Sequence, residues 1–167
     1  MASEPHNRFD QIDPSTETAL RTLETRLEYE FTTPVLLWEA LQFPGSIMDW
    51  DDEQSNDGLA EIGDTAIALA FASIEYQRNR ISDFELYRQR RDALLLDDRI
   101  WKAGKAIGLL KVLQEARYEN TEPDGRAGKV IVVEGIMKAI VGAVYMDSGM
   151  KAVKKLVTKL GVIGAPA

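Results

Sequence analysis

The chain has 167 residues, 45% of them apolar, and 27 acidic against 20 basic side chains give a formal charge of −7. Length and apolar share fit one domain with one core, and the charge argues against strong non-specific nucleic-acid binding, though a local basic groove stays open. The lack of cysteine excludes disulfides and thiolate chemistry, no apolar run is long enough to span a membrane, and the start lacks an apolar signal region, so an intracellular, cytoplasmic protein without membrane attachment is the default expectation.

Residues 1–15 read as a polar, flexible tail. A helix is expected from Asp13-Pro14, where Pro sits in the first turn, with Leu20, Leu23 and Leu27 as its apolar stripe. Thr33-Pro34 opens a second helix through Leu41, and Trp38 and the following Phe43 are expected to pack in the core. Residues 45–55 form an acidic loop without the spaced ligands of a Ca²⁺ site.

The next stretch, Asn56 to Tyr76, is the centre of the chain. At helical period Leu59, Ile62, Ala66, Leu69 and Ser73 share one face, with Ile67, Phe71 and Ile74 beside it. Asp57, Glu61 and Asp64 stand at i, i+4 and i+7 and make one acidic stripe. Ser82 to Glu85 fits a capping box that starts another helix, and Arg88, Arg90 and Arg91 make it the most basic stretch. These arginines are either a solvated face, paired to acids, or a phosphate-contacting patch. A helix then runs from Asp97 to Gly108, a short helix or turn covers 113–118, and a loop covers 119–126. Gly128 to Glu134 alone would pass for a strand, being β-branched and apolar. Lys151 to Leu160 is an amphipathic last helix, and 161–167 reads as a second flexible tail.

The stretch Asn56-Asp57-Gly58-Leu59-Ala60-Glu61-Ile62-Gly63-Asp64 resembles the ribonuclease III signature Asn-Glu-Arg-Leu-Glu-Phe-Leu-Gly-Asp. Glu134 to Gly149 resembles that family's second signature, closely so from Ala139 onward. The resemblance makes the strand-like run 128–134 part of a helix. It implies an all-α, ribonuclease III-like helical domain over residues 16–160, and no double-stranded-RNA-binding domain follows in these residues.

Family enzymes use four acidic side chains from the two signature helices to hold Mg²⁺, which activates water at a phosphodiester. Carried onto this sequence, those positions fall on Ala60, Asp64, Gly135 and Lys138, so Asp64 alone is retained as a metal candidate. Glu61 and Glu134 are possible substitutes, but each lies one residue from the aligned position, and one helical residue turns a side chain by about 100°. Lys138 stands where a Glu is implied and is expected to partner Asp64 in place of the ion. No cofactor is expected, and Mg²⁺ or Mn²⁺ enters only with residual nuclease activity. His6 lies in the tail and offers no catalytic base.

The resemblance also implies a homodimer or heterodimer through the signature helix. Glu61 replaces the Phe that docks into the partner, leaving Ile62, Trp38 or Trp50 to supply other apolar contacts. Three functions follow. The first is a catalytically inactive, dimeric scaffold that binds structured RNA or a partner protein. The second is a residual metal-dependent double-stranded RNA endonuclease. The third is a repurposed fold that binds a small molecule, or does other chemistry, in the old catalytic cleft.

Overall fold

The structure is a computed structural model that describes residues 14–43, 55–79, 81–96, 98–115 and 125–164. These form seven helices: α1 (Pro14–Leu27), α2 (Pro34–Ala40), α3 (Asp57–Asn79), α4 (Phe84–Leu96), α5 (Arg99–Ala106), α6 (Leu109–Glu115) and α7 (Gly125–Lys159). No strand occurs among the described residues. Residues 1–13 of the expected 1–15 tail, the acidic loop to residue 54, Trp50 and most of the 119–126 loop lie outside them, while Pro14 and Ser15 already belong to α1. The last of those loops is shorter than expected, because α7 already begins at Gly125.

The β-branched run 128–134 is helical. Its alternate residues are not what is buried; Val132, Val133, Ile136, Met137 and Ile140 are, at helical spacing on one face. Burial on that face outweighs the modest intrinsic preference of Val and Ile for strands. A break at Gly149, with φ 74° and ψ −170°, divides α7 into a long segment and a short last one. Only glycine takes this conformation without steric cost.

The core is built around the antiparallel pair α3 and α7, with α2 and α5 packed on α7, α4 on α3, and α1 against α6. Two glycines set the closeness of the pair. A Cβ added to Gly63 would lie 1.8 Å from the Lys138 carbonyl oxygen, and one added to Gly142 would lie 2.0 Å from the Leu59 carbonyl oxygen. The two backbones therefore touch, which no larger residue permits.

That contact rotates α3 away from the expected face. Its buried stripe is Gly63, Ala66, Ile67, Ala70 and Phe71, whereas Leu69 is 52% exposed and Ile62 and Ser73 are only half-buried. Small residues pack against α7 because they allow the closer approach, and the larger Leu69 is left outside. Trp38 is buried in the core as its packing role requires, so it cannot serve as a dimer contact. The second tail also needs correction. Val162 and Ile163 are both buried, and Arg78 Nη2 donates to the Gly164 carbonyl at 2.9 Å, so the folded domain extends beyond residue 160.

At α4 the cap is Asp83 rather than Ser82: its Oδ1 accepts the Leu86 N–H at 2.9 Å. The helix is fastened to α3 by Glu75, which is nearly buried and takes Arg90 at 3.0 Å and Arg78 at 3.4 Å.

Candidate functional site

The two signature segments meet where α3 and α7 cross. Asn56, the first residue of the α3 segment, fixes the entry. Its buried amide Nδ2 donates to the Ala40 carbonyl at 2.8 Å and its backbone N–H to the Gln42 carbonyl at 2.9 Å. This ties the start of α3 to the end of α2. Asp57 accepts the Ser55 hydroxyl at 2.7 Å and sits in the first turn, where a negative charge meets the positive end of the helix dipole. The motif's Asn and Asp are thus accounted for by local structure.

From this anchored start, Asp64 is carried to the crossing. Lys138 Nζ lies 2.6 Å from Asp64 Oδ1, an ion pair between the two helices. The pair is not dry: the side chains are 33% exposed for Lys138 and 44% for Asp64. Beside it, Phe43 packs its ring over Gly135, where an added Cβ would already stand 3.4 Å from the ring. Glu61 points to solvent and Glu134 is half-buried, and neither has an ion-pair partner among the described residues. No group of three acidic, cysteine or histidine side chains converges there or elsewhere among the described residues. Asp64 and Lys138 are therefore brought together, while Glu61 and Glu134 are not joined to them.

The three arginines of α4 separate. Arg90 is committed to Glu75, and Arg91 donates to its neighbour Asp92 at 2.7 Å. Arg88 is exposed and has no acidic partner among the described residues. Of the two readings of these arginines, pairing to acids describes Arg90 and Arg91, and Arg88 is left as the one of the three without such a partner among the described residues.

Sequence reasoning missed one polar centre. Asp147, at the end of the second signature, accepts the Tyr29 hydroxyl at 2.6 Å and the backbone N–H groups of Thr32 and Thr33 at 3.1 and 2.8 Å. It holds the turn before α2 against α7. Burial pushes its carboxyl up, but the bonds from Tyr29, Thr32, Thr33 and Ser148 outweigh this and hold it below the usual carboxylate range. Tyr29 is pushed up to about 12, first by burial and then by its bond to Asp147. The signal that could have found it was Asp147 itself, which stands in the second signature outside the four implied metal positions.

The sequence profile described as Ribonuclease-III-like matches residues 34–162, and the chain belongs to that family. It is 29% identical over 142 residues to ribonuclease 3 of Albidiferax ferrireducens, covering 84% of this chain and 59% of that protein. To ribonuclease 3 of Caldanaerobacter subterraneus it is 25% identical, covering 84% of this chain and 61% of that protein. It thus spans about three fifths of the length of these relatives. Among solved structures, the nuclease domain of ribonuclease III from Campylobacter jejuni superposes with a TM-score of 0.66 at 20% identity, covering 84% of this chain and 94% of that one. A second structure of the same domain gives 0.66 at 19% identity over 88% and 97%. Both describe the same fold.

The donor set does not fit the Mg²⁺ chemistry that the family resemblance implies. Mg²⁺ is held by hard oxygen donors in near-octahedral array. Here a methyl, a hydrogen and an ammonium stand at three of the four implied positions, and that ammonium is bound to the fourth.

The pair is a solvated one, so its energetic weight is small. Lys138→Met is expected to lower stability by less than ~1 kcal/mol. Denaturant titration of both proteins checks this; a loss several times larger would mean the pair is shielded from water in solution.

Proposed function

We propose that this chain is a non-cleaving ribonuclease-III-like domain that works as a paired scaffold, binding a second folded domain along α3. The ion pair between Lys138 and Asp64 carries the reading. It leaves the one retained carboxylate neutralised by a side chain that cannot accept a metal, so the crossing lacks what would activate water at a phosphodiester.

The outward face of α3 supports the pairing. Ile62, Thr65, Leu69, Ala72 and Tyr76 follow one another at steps of three and four residues, the spacing of a helix–helix seam. Leu69 is 52% and Tyr76 60% exposed, an unusual display for the central helix of a domain. One Campylobacter jejuni structure concerns flexibility in the region of that nuclease domain involved in dimer formation. The partner is a second copy or a related domain. With Arg90 and Arg91 committed to acids and a net charge of −7, a protein partner is favoured over RNA.

Two measurements test this. Long labelled double-stranded RNA, at low salt with Mg²⁺ or Mn²⁺, is expected to stay intact. Metal-dependent cutting that is lost in Asp64→Asn would overturn the reading in favour of an endonuclease rebuilt on Glu61 or Glu134. In sedimentation velocity the protein is expected to run as a dimer and Leu69→Glu as a folded monomer. A monomeric parent protein, with no heterologous domain bound to that face, would remove the scaffold.

A further inference from the structure

A cleft of about 390 Å³ opens between the end of α1 and the last segment of α7. Its volume lies in the range of small-molecule sites. Its floor is apolar, made by Leu27, Ala152 and Leu156. One wall is a row of ammonium groups, Lys151, Lys155 and Lys159, at i, i+4 and i+8 on one helical face, each about 6 Å from the next along the axis.

The row is unusual for this chain. In an overall charge of −7, residues 151–160 hold Lys151, Lys154, Lys155 and Lys159 and no acidic residue. Lys159 is engaged, pairing with Glu28 at 3.0 Å and donating to the Leu27 carbonyl at 3.1 Å. Lys151 and Lys155 are exposed and have no acidic partner among the described residues. The break at Gly149 starts a fresh helical run at the same end of the cleft, and its positive pole adds to the field. Glu28 is the one acid on the lining, and Lys159 already neutralises it.

We propose that this cleft binds a phosphorylated small molecule, its phosphoryl groups on Lys151 and Lys155 and its planar or apolar body on the floor of Leu27, Ala152 and Leu156. Two ammonium groups one helical turn apart, without an acidic partner among the described residues, meet neighbouring phosphoryl groups as point charges. The apolar floor gives the rest of the ligand a reason to enter, which a bare surface lysine row would not. The inference goes beyond the scaffold reading and does not depend on it, because neither lysine lies on α3 or at the Asp64 pair.

The test is calorimetric titration of the full chain with ATP, pyrophosphate and hexaglutamate at matched ionic strength. Saturable ATP binding with a Kd below ~1 mM is expected, with pyrophosphate weaker by about tenfold for want of the body. Lys151→Gln with Lys155→Gln should weaken ATP by about tenfold or more, whereas Lys111→Gln, whose lysine faces Glu115 on α6, should change nothing. Both lysines are exposed, and an unchanged melting temperature verifies that the double variant is folded. ATP binding that is absent, or unchanged in the double variant, overturns the site. Hexaglutamate or pyrophosphate binding as tightly as ATP overturns the assignment of a phosphorylated ligand seated on the floor.

Discussion

Replacing Gly63 by alanine is expected to be among the most destabilising additions of a single methyl group at the described glycines. The added Cβ would sit 1.8 Å from the Lys138 carbonyl oxygen, 2.7 Å from its carbonyl carbon and 2.9 Å from the Gly142 nitrogen. All three are backbone atoms of α7, so no side chain can swing aside. The helices must move apart by more than an ångström, and every core residue packed between them then loses dispersion contacts. Overpacking of this kind costs ~1–3 kcal/mol where neighbours can yield; here they cannot, and ~3 kcal/mol or more is expected. Gly142→Ala meets the Leu59 carbonyl oxygen at 2.0 Å and should behave alike. Gly58→Ala is the control: nothing lies within 4 Å of its added Cβ, so the gain in helix propensity should stabilise by up to ~1 kcal/mol. Urea unfolding of the three variants checks the ranking. Equal midpoints for Gly63→Ala and Gly58→Ala would mean that the two backbones do not touch.

The second large effect is expected at Asp147. Its carboxylate accepts two backbone N–H groups and a tyrosine hydroxyl, which fix the start of α2 on α7. Asp147→Ala should remove ~2 kcal/mol, held to that by water reaching the exposed amides of Thr32 and Thr33. In a domain of this size that is a drop in Tm of about 4–8 °C. The effect depends on pH with a definite sign. The carboxyl is held below the usual carboxylate range in the folded state, so the native protein binds its proton more weakly than the unfolded chain does. Its contribution is complete above the ordinary carboxylate value of about 4 and is lost as pH falls through the folded value. Tyr29 works on the other limb: pushed up to about 12 from 10.0, it contributes below pH 10 and loses that contribution as pH rises towards 12. The Tm difference between the parent protein and Asp147→Ala should therefore be flat from pH 6 to 8 and shrink below pH 4. A difference that persists undiminished in acid would show that the carboxylate's charge is not what holds the turn.

Much of this architecture is legible in one dimension. The two signature segments, the small residues at Gly63 and Gly142, the Pro14 and Pro34 helix starts and the Gly108 stop all act through local geometry or through motifs at fixed spacing. Those signals identify helices and their ends, and the resemblance places the two central ones together. They also expose the missing carboxylates, since Ala60, Gly135 and Lys138 need no coordinates to be read.

The rotation of α3 is different. Hydrophobicity alone puts Leu69 inside, but the close backbone contact with α7 favours Ala66 and Ala70 there and turns Leu69 outward. The distribution of charge is another case. Arg90 reads as a free cation until Glu75, fifteen residues earlier, is found buried beneath it. Asp147 joins Tyr29 across more than a hundred residues of chain. The lysine row of the last segment looks like an ordinary solvated face until Leu27 is seen closing a cleft beside it. Sequence determined which residues can be helical and which carboxylates of the family signature this chain lacks. Tertiary structure decided which faces are left for binding, because burial and ion pairing depend on partners that the chain brings together only by folding.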